Sequence, residues 1–235
     1  MNILGIDSSG NTASVAYITD GVVKAEFNIN NKKTHSETLL PMIDTIMKAA
    51  GVDMSEIDAI AVAAGPGSFT GLRIGASTVK GLGLALEKEV IPVPTLHGLA
   101  FNVSFARGVV APIMDARRNQ VYAGIYKTGE KLEVIMDQDA LDIHDFIEKI
   151  NENGEEVTFT GDGISVFKEV IEEEIKVPYH FAPAGMNRQR AASIAALGEI
   201  YARDGHAVKS DDFSLIYLRK SQAEREREER LKQGE

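Results

Sequence analysis

Residues 3–6, Ile-Leu-Gly-Ile, form a short apolar run closed by Asp7 and read as a buried strand. Residues 13–19 and 22–29 alternate apolar with polar positions on either side of Asp20-Gly21, a dipeptide that favours a two-residue hairpin. Three consecutive strands therefore open the chain. Over residues 34–50 the period changes. Leu39, Met42, Ile43, Ile46, Met47 and Ala50 recur at helical spacing, Thr34 and Glu37 suit a capping box, and Gly51 stops the helix. Residues 57–64 read as a buried strand ending in Gly65-Pro66-Gly67, 70–86 as a second helix, 90–93 as a strand and 96–105 as a third helix.

The pattern then restarts. Strands are predicted at 109–114, 120–127 and 131–136, a helix at 143–150, a strand at 157–160 ending in Gly161-Asp162-Gly163, and a helix at 165–174. A short strand at 180–181 and an Ala-rich helix at 191–203 complete it. Asp7, Asn11 and Gly21 reappear 108 positions later as Asp115, Asn119 and Gly129; Gly65 and Gly67 reappear 96 positions later as Gly161 and Gly163. Both offsets fall on element ends and turns. A strand–strand–strand–helix–strand–helix unit used twice predicts an α/β fold with two mixed-sheet halves. The expected division is 1–106 and 107–219, with a late helix packing back on the first half, followed by a charged tail, 220–235.

Composition narrows the chemistry. The chain has 235 residues, 25 Lys plus Arg against 35 Asp plus Glu, and a formal charge of −10. That balance argues against tight independent binding to nucleic acid, which needs positive charge to displace counterions, but leaves room for a local basic patch. The absence of cysteine excludes a disulfide scaffold, a thiolate metal site and a Cys nucleophile. The first residues lack a basic region and a long apolar stretch, so no signal peptide or membrane span is expected and the default compartment is the cytoplasm. No two of His35, His97, His144, His180 and His206 stand at metal-ligand spacing, so no metal is expected.

Two loops could carry chemistry. Asp7, Ser8 and Ser9 at the first strand–strand turn suit either a phosphate or metal loop or a turn bonding its own backbone. The second copy, Asp115-Ala116-Arg117-Arg118-Asn119, keeps the Asp, loses both serines and gains two arginines. Gly65-Pro66-Gly67-Ser68-Phe69-Thr70-Gly71 joins a strand to a helix, with Ser68 or Thr70 as cap. It suits anion binding at a helix start or close helix–sheet packing, and it is not a Walker loop. The helix that follows is apolar on nearly all faces, which demands cover on both sides.

Ile6-Asp7-Ser8-Ser9, His35-Ser36-Glu37 with Leu39-Leu40-Pro41, Gly65 through Gly75, Met114-Asp115-Ala116-Arg117 with Val121-Tyr122, and Tyr217-Leu218-Arg219 together resemble the bacterial TsaB (YeaZ) family, across residues 3–219. The resemblance implies the actin/Hsp70/sugar-kinase (RNase H-like) fold. It also implies a role in forming the threonylcarbamoyl group on the adenosine beside the anticodon of tRNAs reading codons that begin with A. On that resemblance the chain is a non-catalytic relative and activating partner of the transferase TsaD, without TsaD's His-x-x-x-His metal pair. TsaD is the expected main partner, the ATPase TsaE a second, and TsaC a functional link. No nucleotide is expected to be held tightly, ATP or ADP entering only in complex with partners, and tRNA is expected on the complex rather than on this chain alone. The family's first two helices pack against those of TsaD, which places Leu39, Leu40, Ile43, Met47, Leu72, Arg73, Ala76, Val79 and Lys80 among the candidate contacts. Self-association through the same helices is expected when TsaD is absent. The competing readings are an active ATP-dependent phosphotransferase or hydrolase of the same fold and a glycoprotease-like peptidase, for which the sequence offers no zinc motif or nucleophile elbow.

Overall fold

The computed structural model describes residues 1–31 and 34–219; the expected tail 220–235 lies outside the described residues. The first half runs β1 (Asn2–Asp7), β2 (Ala13–Thr19), β3 (Val22–Ile29), α1 (His35–Ala50), β4 (Ala59–Ala63), α2 (Phe69–Leu86), β5 (Glu89–Val93) and α3 (Thr95–Phe101). The second runs β6 (Val109–Arg117), β7 (Gln120–Thr128), β8 (Leu132–Asp142), α4 (Ile143–Asn153), β9 (Val157–Thr160), α5 (Ile164–Glu174), β10 (Tyr179–Phe181) and α6 (Ala191–Arg203). The two sheets, β3-β2-β1-β4-β5 and β8-β7-β6-β9-β10, have the same order and the same mixture of antiparallel and parallel pairs, as a duplicated unit requires.

The chemistry of each element explains its place. β1 and β4 are apolar on both faces because helices cover both faces of the first sheet. Leu4, Ile6, Ile60 and Val62 pack towards α1 and α2, while Ile3, Ala59 and Ala61 meet α6. Small residues let α6 lie close: a Cβ on Gly5 would strike the Ala191 carbonyl, and one on Gly198 would crowd the Ala61 side chain. The last helix of each half is exchanged. α6 packs on β1, β2, β4 and β5, whereas α3 packs on β6, β7 and β8 and against α6. His97 of α3 fixes this crossing, bonding through Nδ1 to the Tyr201 hydroxyl (2.7 Å) and meeting the Tyr126 ring edge-on. Burial holds its imidazole down at about 4.

Several boundaries differ from expectation. The third helix stops at Phe101 rather than residue 105, because Val103 and Ala106 turn out of it to pack beside α3 under the second sheet. β6 extends past Met114 to Arg117. β8 runs on to Asp142 instead of ending near 136, since pairing with β7 carries its polar residues along the sheet edge. Among the described residues no helix is long and apolar enough to cross a membrane.

Candidate functional site

Four turns and one strap meet between the halves. The β1–β2 turn, the glycine turn before α2, the β6–β7 turn and the β9–α5 turn border a cleft of about 570 Å³, and residues 216–219 run along it. Asp7 ends β1 at 1% exposure, deeper than an exposed turn residue would lie. Its Oδ1 accepts the Ser9 N–H (2.9 Å) and the Ser9 hydroxyl (2.6 Å). Burial pushes its carboxyl up to about 6 despite those bonds, and the charge of Asp162 adds to the rise. Asp162 is itself raised, by burial first, although Arg188 opposes the shift. Asp115 gives its carboxylate to the Arg117 N–H of its own turn (2.8 Å). The floor of the cleft is therefore acidic.

The glycine motif clasps the first turn. The Ser8 hydroxyl donates to the Gly71 carbonyl (2.8 Å), and the Ser68 N–H donates to the Ser9 carbonyl (2.7 Å). Ser68, not Thr70, caps α2 by accepting the Gly71 N–H (3.3 Å); Thr70 is exposed at the mouth. A Cβ on Gly67 would overlap the Ser9 carbonyl oxygen, and one on Gly71 the Ser8 carbonyl oxygen. Gly65, left-handed at φ +115° and joined to Pro66 by a cis bond, sits under the Ile216 carbonyl. Pro66 lines the cleft. His35 reaches across from the start of α1, its Nε2 2.8 Å from the Gly10 carbonyl, while Glu37 closes the cap by accepting from the Thr34 N–H and hydroxyl. The Ser68 N–H and the Ser9 and Gly71 carbonyls are thus engaged between the two turns, above the buried Asp7 carboxyl.

The nine helix-face candidates divide. Leu39, Ile43 and Met47 of α1 and Leu72 and Val79 of α2 are buried in the chain's own core. Leu40 (56% exposed) and Arg73 face outwards, and Ala76 and Lys80 are half-buried. Period alone gave the helix but not which side the sheet covers. The outward side forms an apolar groove between α1 and α2, bordered by Leu40, Phe69 and Ile74. Its end is built by the strap, of which only Tyr217-Leu218-Arg219 stood out in the sequence, within the family resemblance. The Tyr217 ring lies 5.2 Å from that of Phe69, the Arg73 guanidinium stands 3.8 Å over Phe69, and Arg73 Nε donates to the Tyr217 hydroxyl (3.3 Å). Lys80 donates to the Asp211 carbonyl (3.2 Å), and Arg219 to the Ala116 carbonyl in the second half (2.9 Å). Sequence reasoning also missed Asp162 and Arg188 at the cleft; the repeat of Gly65 at Gly161 was the signal for the first, and none pointed to the second.

A pH test follows from Asp7 and His97. Between the ordinary Asp value and about 6, the unfolded chain has lost the Asp7 proton and the folded chain keeps it, so stability falls as pH rises through this range. His97 has the opposite sign: from the ordinary His value down to about 4 the unfolded chain is protonated and the folded chain is not, so stability falls as pH drops. Each effect is about 3 kcal/mol, and over pH 4–6 they nearly cancel. Asp7→Asn removes one side. Urea midpoints should rise at pH 7.5 by the equivalent of roughly 1–3 kcal/mol and then fall steeply on acidification. A variant whose pH profile parallels the wild type would show that Asp7 carries no such shift.

The sequence family described as "TsaD: tRNA N6-adenosine threonylcarbamoyltransferase" matches residues 23–226. The chain is 34% identical over 227 residues to the tRNA threonylcarbamoyladenosine biosynthesis protein TsaB of Bacillus subtilis (strain 168), covering 95% of this chain and 96% of that protein. The solved structure of YeaZ from Pseudomonas aeruginosa superposes with a TM-score of 0.77 at 26% identity, covering 92% of this chain and 99% of that one. An inorganic polyphosphate/ATP-glucomannokinase from Arthrobacter sp. strain KM superposes at 0.53 with 9% identity, over 87% of this chain and 99% of the kinase, a likeness of fold alone.

Proposed function

The chain belongs to the TsaB (YeaZ) family of tRNA threonylcarbamoyladenosine biosynthesis proteins, and from that premise we propose that it acts as a non-catalytic activating partner of the transferase TsaD. The observation that carries this reading is the α1/α2 face. The duplication sets α1/α2 and α4/α5 in equivalent positions. The groove on the second pair is lined by His144, Asp145, Glu148, Glu152, Glu173 and Glu174, as a solvated surface should be. The groove on the first has no carboxylate among its lining residues; Leu39, Leu40, Phe69 and Ile74 lie there with Ser36, Thr70, Arg73, Ser77 and Thr78, and Leu40 is left in water. A groove without carboxylates, with exposed Leu40 and the Phe69 and Ile74 side chains in it, suits a helical partner. In TsaD's absence a second copy of the chain would take its place.

Further support comes from the cleft. The second turn bonds its own Asp115, and the glycine turn is occupied with Ser8 and Ser9, which leaves no matched pair of hydroxyl loops for phosphoryl transfer. On this reading the chain holds no nucleotide tightly, ATP or ADP meeting it only together with partners, and TsaE and TsaC act in the same cytoplasmic route. Reconstitution tests it: TsaD, TsaE, TsaC and this chain are combined with tRNA and ATP, and the modified nucleoside is measured with each protein omitted in turn. Omission of this chain should abolish modification, while the chain by itself turns over no ATP. Full modification without it, or steady hydrolysis by it alone, would overturn the proposal.

A further inference from the structure

The chain carries a net charge of −10, yet four arginines gather at one mouth. Arg117, Arg188 and Arg219 line the interlobe cleft, and Arg118 stands beside Arg117 in the β6–β7 turn. Among the described residues none of the four is in an ion pair, whereas Arg190 and Arg203 are paired with Glu26 and Glu199. Arg188 donates to the Asn187 carbonyl (2.8 Å) and Arg219 to the Ala116 carbonyl (2.9 Å), neutral acceptors that orient a guanidinium without neutralising it. Arg117, Arg118 and Asn119 are all left-handed, at φ +67°, +57° and +58°, with no glycine among them. Asp115 holds that turn through the Arg117 N–H, and both arginines of the turn are exposed.

We propose that this rim is a phosphodiester-binding site, across which the backbone of an RNA strand lies. The inference rests on the proposed role in tRNA modification for the choice of RNA among polyanions. The charge layout supports a strand at the rim over a small phosphate in the floor. Asp115 and Asp162 are half-buried in the cleft and Asp7 lies fully buried at the end of β1, whereas Arg117 and Arg118 are exposed, so a strand crossing the mouth meets the guanidinium groups of the turn before any carboxylate. Arginine forks suit phosphate oxygens, and unpaired ones need shed no carboxylate partner on binding. Each phosphate contacted releases condensed counterions, which supplies affinity that this acidic chain lacks elsewhere.

The test uses the TsaD complex and fluorescently labelled tRNA, titrated at several salt concentrations. Arg117→Asn/Arg118→Asn removes both charges of the turn with a residue that tolerates left-handed backbone; Arg117→Lys/Arg118→Lys keeps them. The Asn pair should weaken binding about tenfold and flatten the slope of log K against log salt by about 2, while the Lys pair keeps most of the slope. Wild-type affinity and slope in the Asn pair, in an assembled complex, overturn the proposal. Competition by millimolar inorganic phosphate or ATP that displaces no tRNA is expected; release of tRNA at ionic strength held constant would assign the rim to a free anion instead. Failure of the complex to assemble would count against the TsaD reading. The same titration on the chain alone then decides the rim, equal slopes for wild type and the Asn pair again overturning it.

Discussion

Leu40→Glu should leave the chain folded and abolish both its complex with TsaD and tRNA modification. Leu40 is 56% exposed on α1, so a carboxylate there is hydrated in the free chain and no core contact is lost. Once a helical partner covers the groove, the same carboxylate is desolvated among Phe69, Ile74 and the partner's apolar side chains, and the guanidinium of the groove, Arg73, is already held over the Phe69 ring and at the Tyr217 hydroxyl. That costs several kcal/mol, comparable with half the binding energy of a micromolar complex, and corresponds to a loss of affinity of a hundredfold or more. Ala76→Glu, half-buried on α2 beside Phe213 and Tyr217, tests the other bank of the same surface. Val79→Glu serves as the contrast. Val79 is fully buried in the first-half core, so its carboxylate should unfold the chain rather than spare it. Circular dichroism and melting separate the two classes, and sizing chromatography with TsaD reads assembly. A folded Leu40→Glu variant that assembles and supports modification normally would place the partner elsewhere.

The residues that made the fold legible are those whose period or turn chemistry is local. Asp20-Gly21, the Thr34/Glu37 cap and Gly51 each fix their neighbours within a few positions, and all three appear where expected. The shared offsets of 108 and 96 exposed the duplication because both copies of the turn keep the same Asp, Asn and Gly. Facing was not legible. Leu39, Ile43 and Met47 show the same helical spacing whether the sheet or a partner covers them, and only the position of β1, β2 and β4 in space buries them. Of the exchange of α3 and α6 between halves, only the return of a late helix to the first half is expected from the sequence; the crossing of α3 to the second sheet is invisible in the chain order, since that helix follows the strand of its own half. The strap escaped for a different reason. Phe213, Leu215 and Tyr217 alternate over too few residues to name an element, yet Ile216 bonds Ala64, Tyr217 meets Phe69 and Arg219 reaches Ala116, three places far apart in sequence.

The two readings of the glycine motif, anion loop and packing device, separate in a second substitution. Gly71→Ala should destabilise the chain by about 3 kcal/mol, lowering the melting temperature by roughly 6–12 °C for a chain of this size. The added Cβ overlaps the Ser8 carbonyl oxygen, a backbone atom held by β1, and lies 3.2 Å from His35 Cδ2. Neither neighbour is the free end of a flexible side chain. Relief requires the β1–β2 turn and the start of α2 to part, which stretches the Ser8 hydroxyl bond to the Gly71 carbonyl and the Ser68 N–H bond to the Ser9 carbonyl. Gly81, on the same helix, is the control of opposite sign. It is exposed, a Cβ there meets nothing within 4 Å, and Gly81→Ala should stabilise by up to about 1 kcal/mol through helix propensity. An anion loop adds a further effect: phosphate would then raise the melting temperature of the wild type, and Gly71→Ala would lose that increment on top of the steric cost. Paired melting curves with and without phosphate therefore decide what Gly71 is for. A loss of stability independent of phosphate means that the glycines are there so that the two turns can touch.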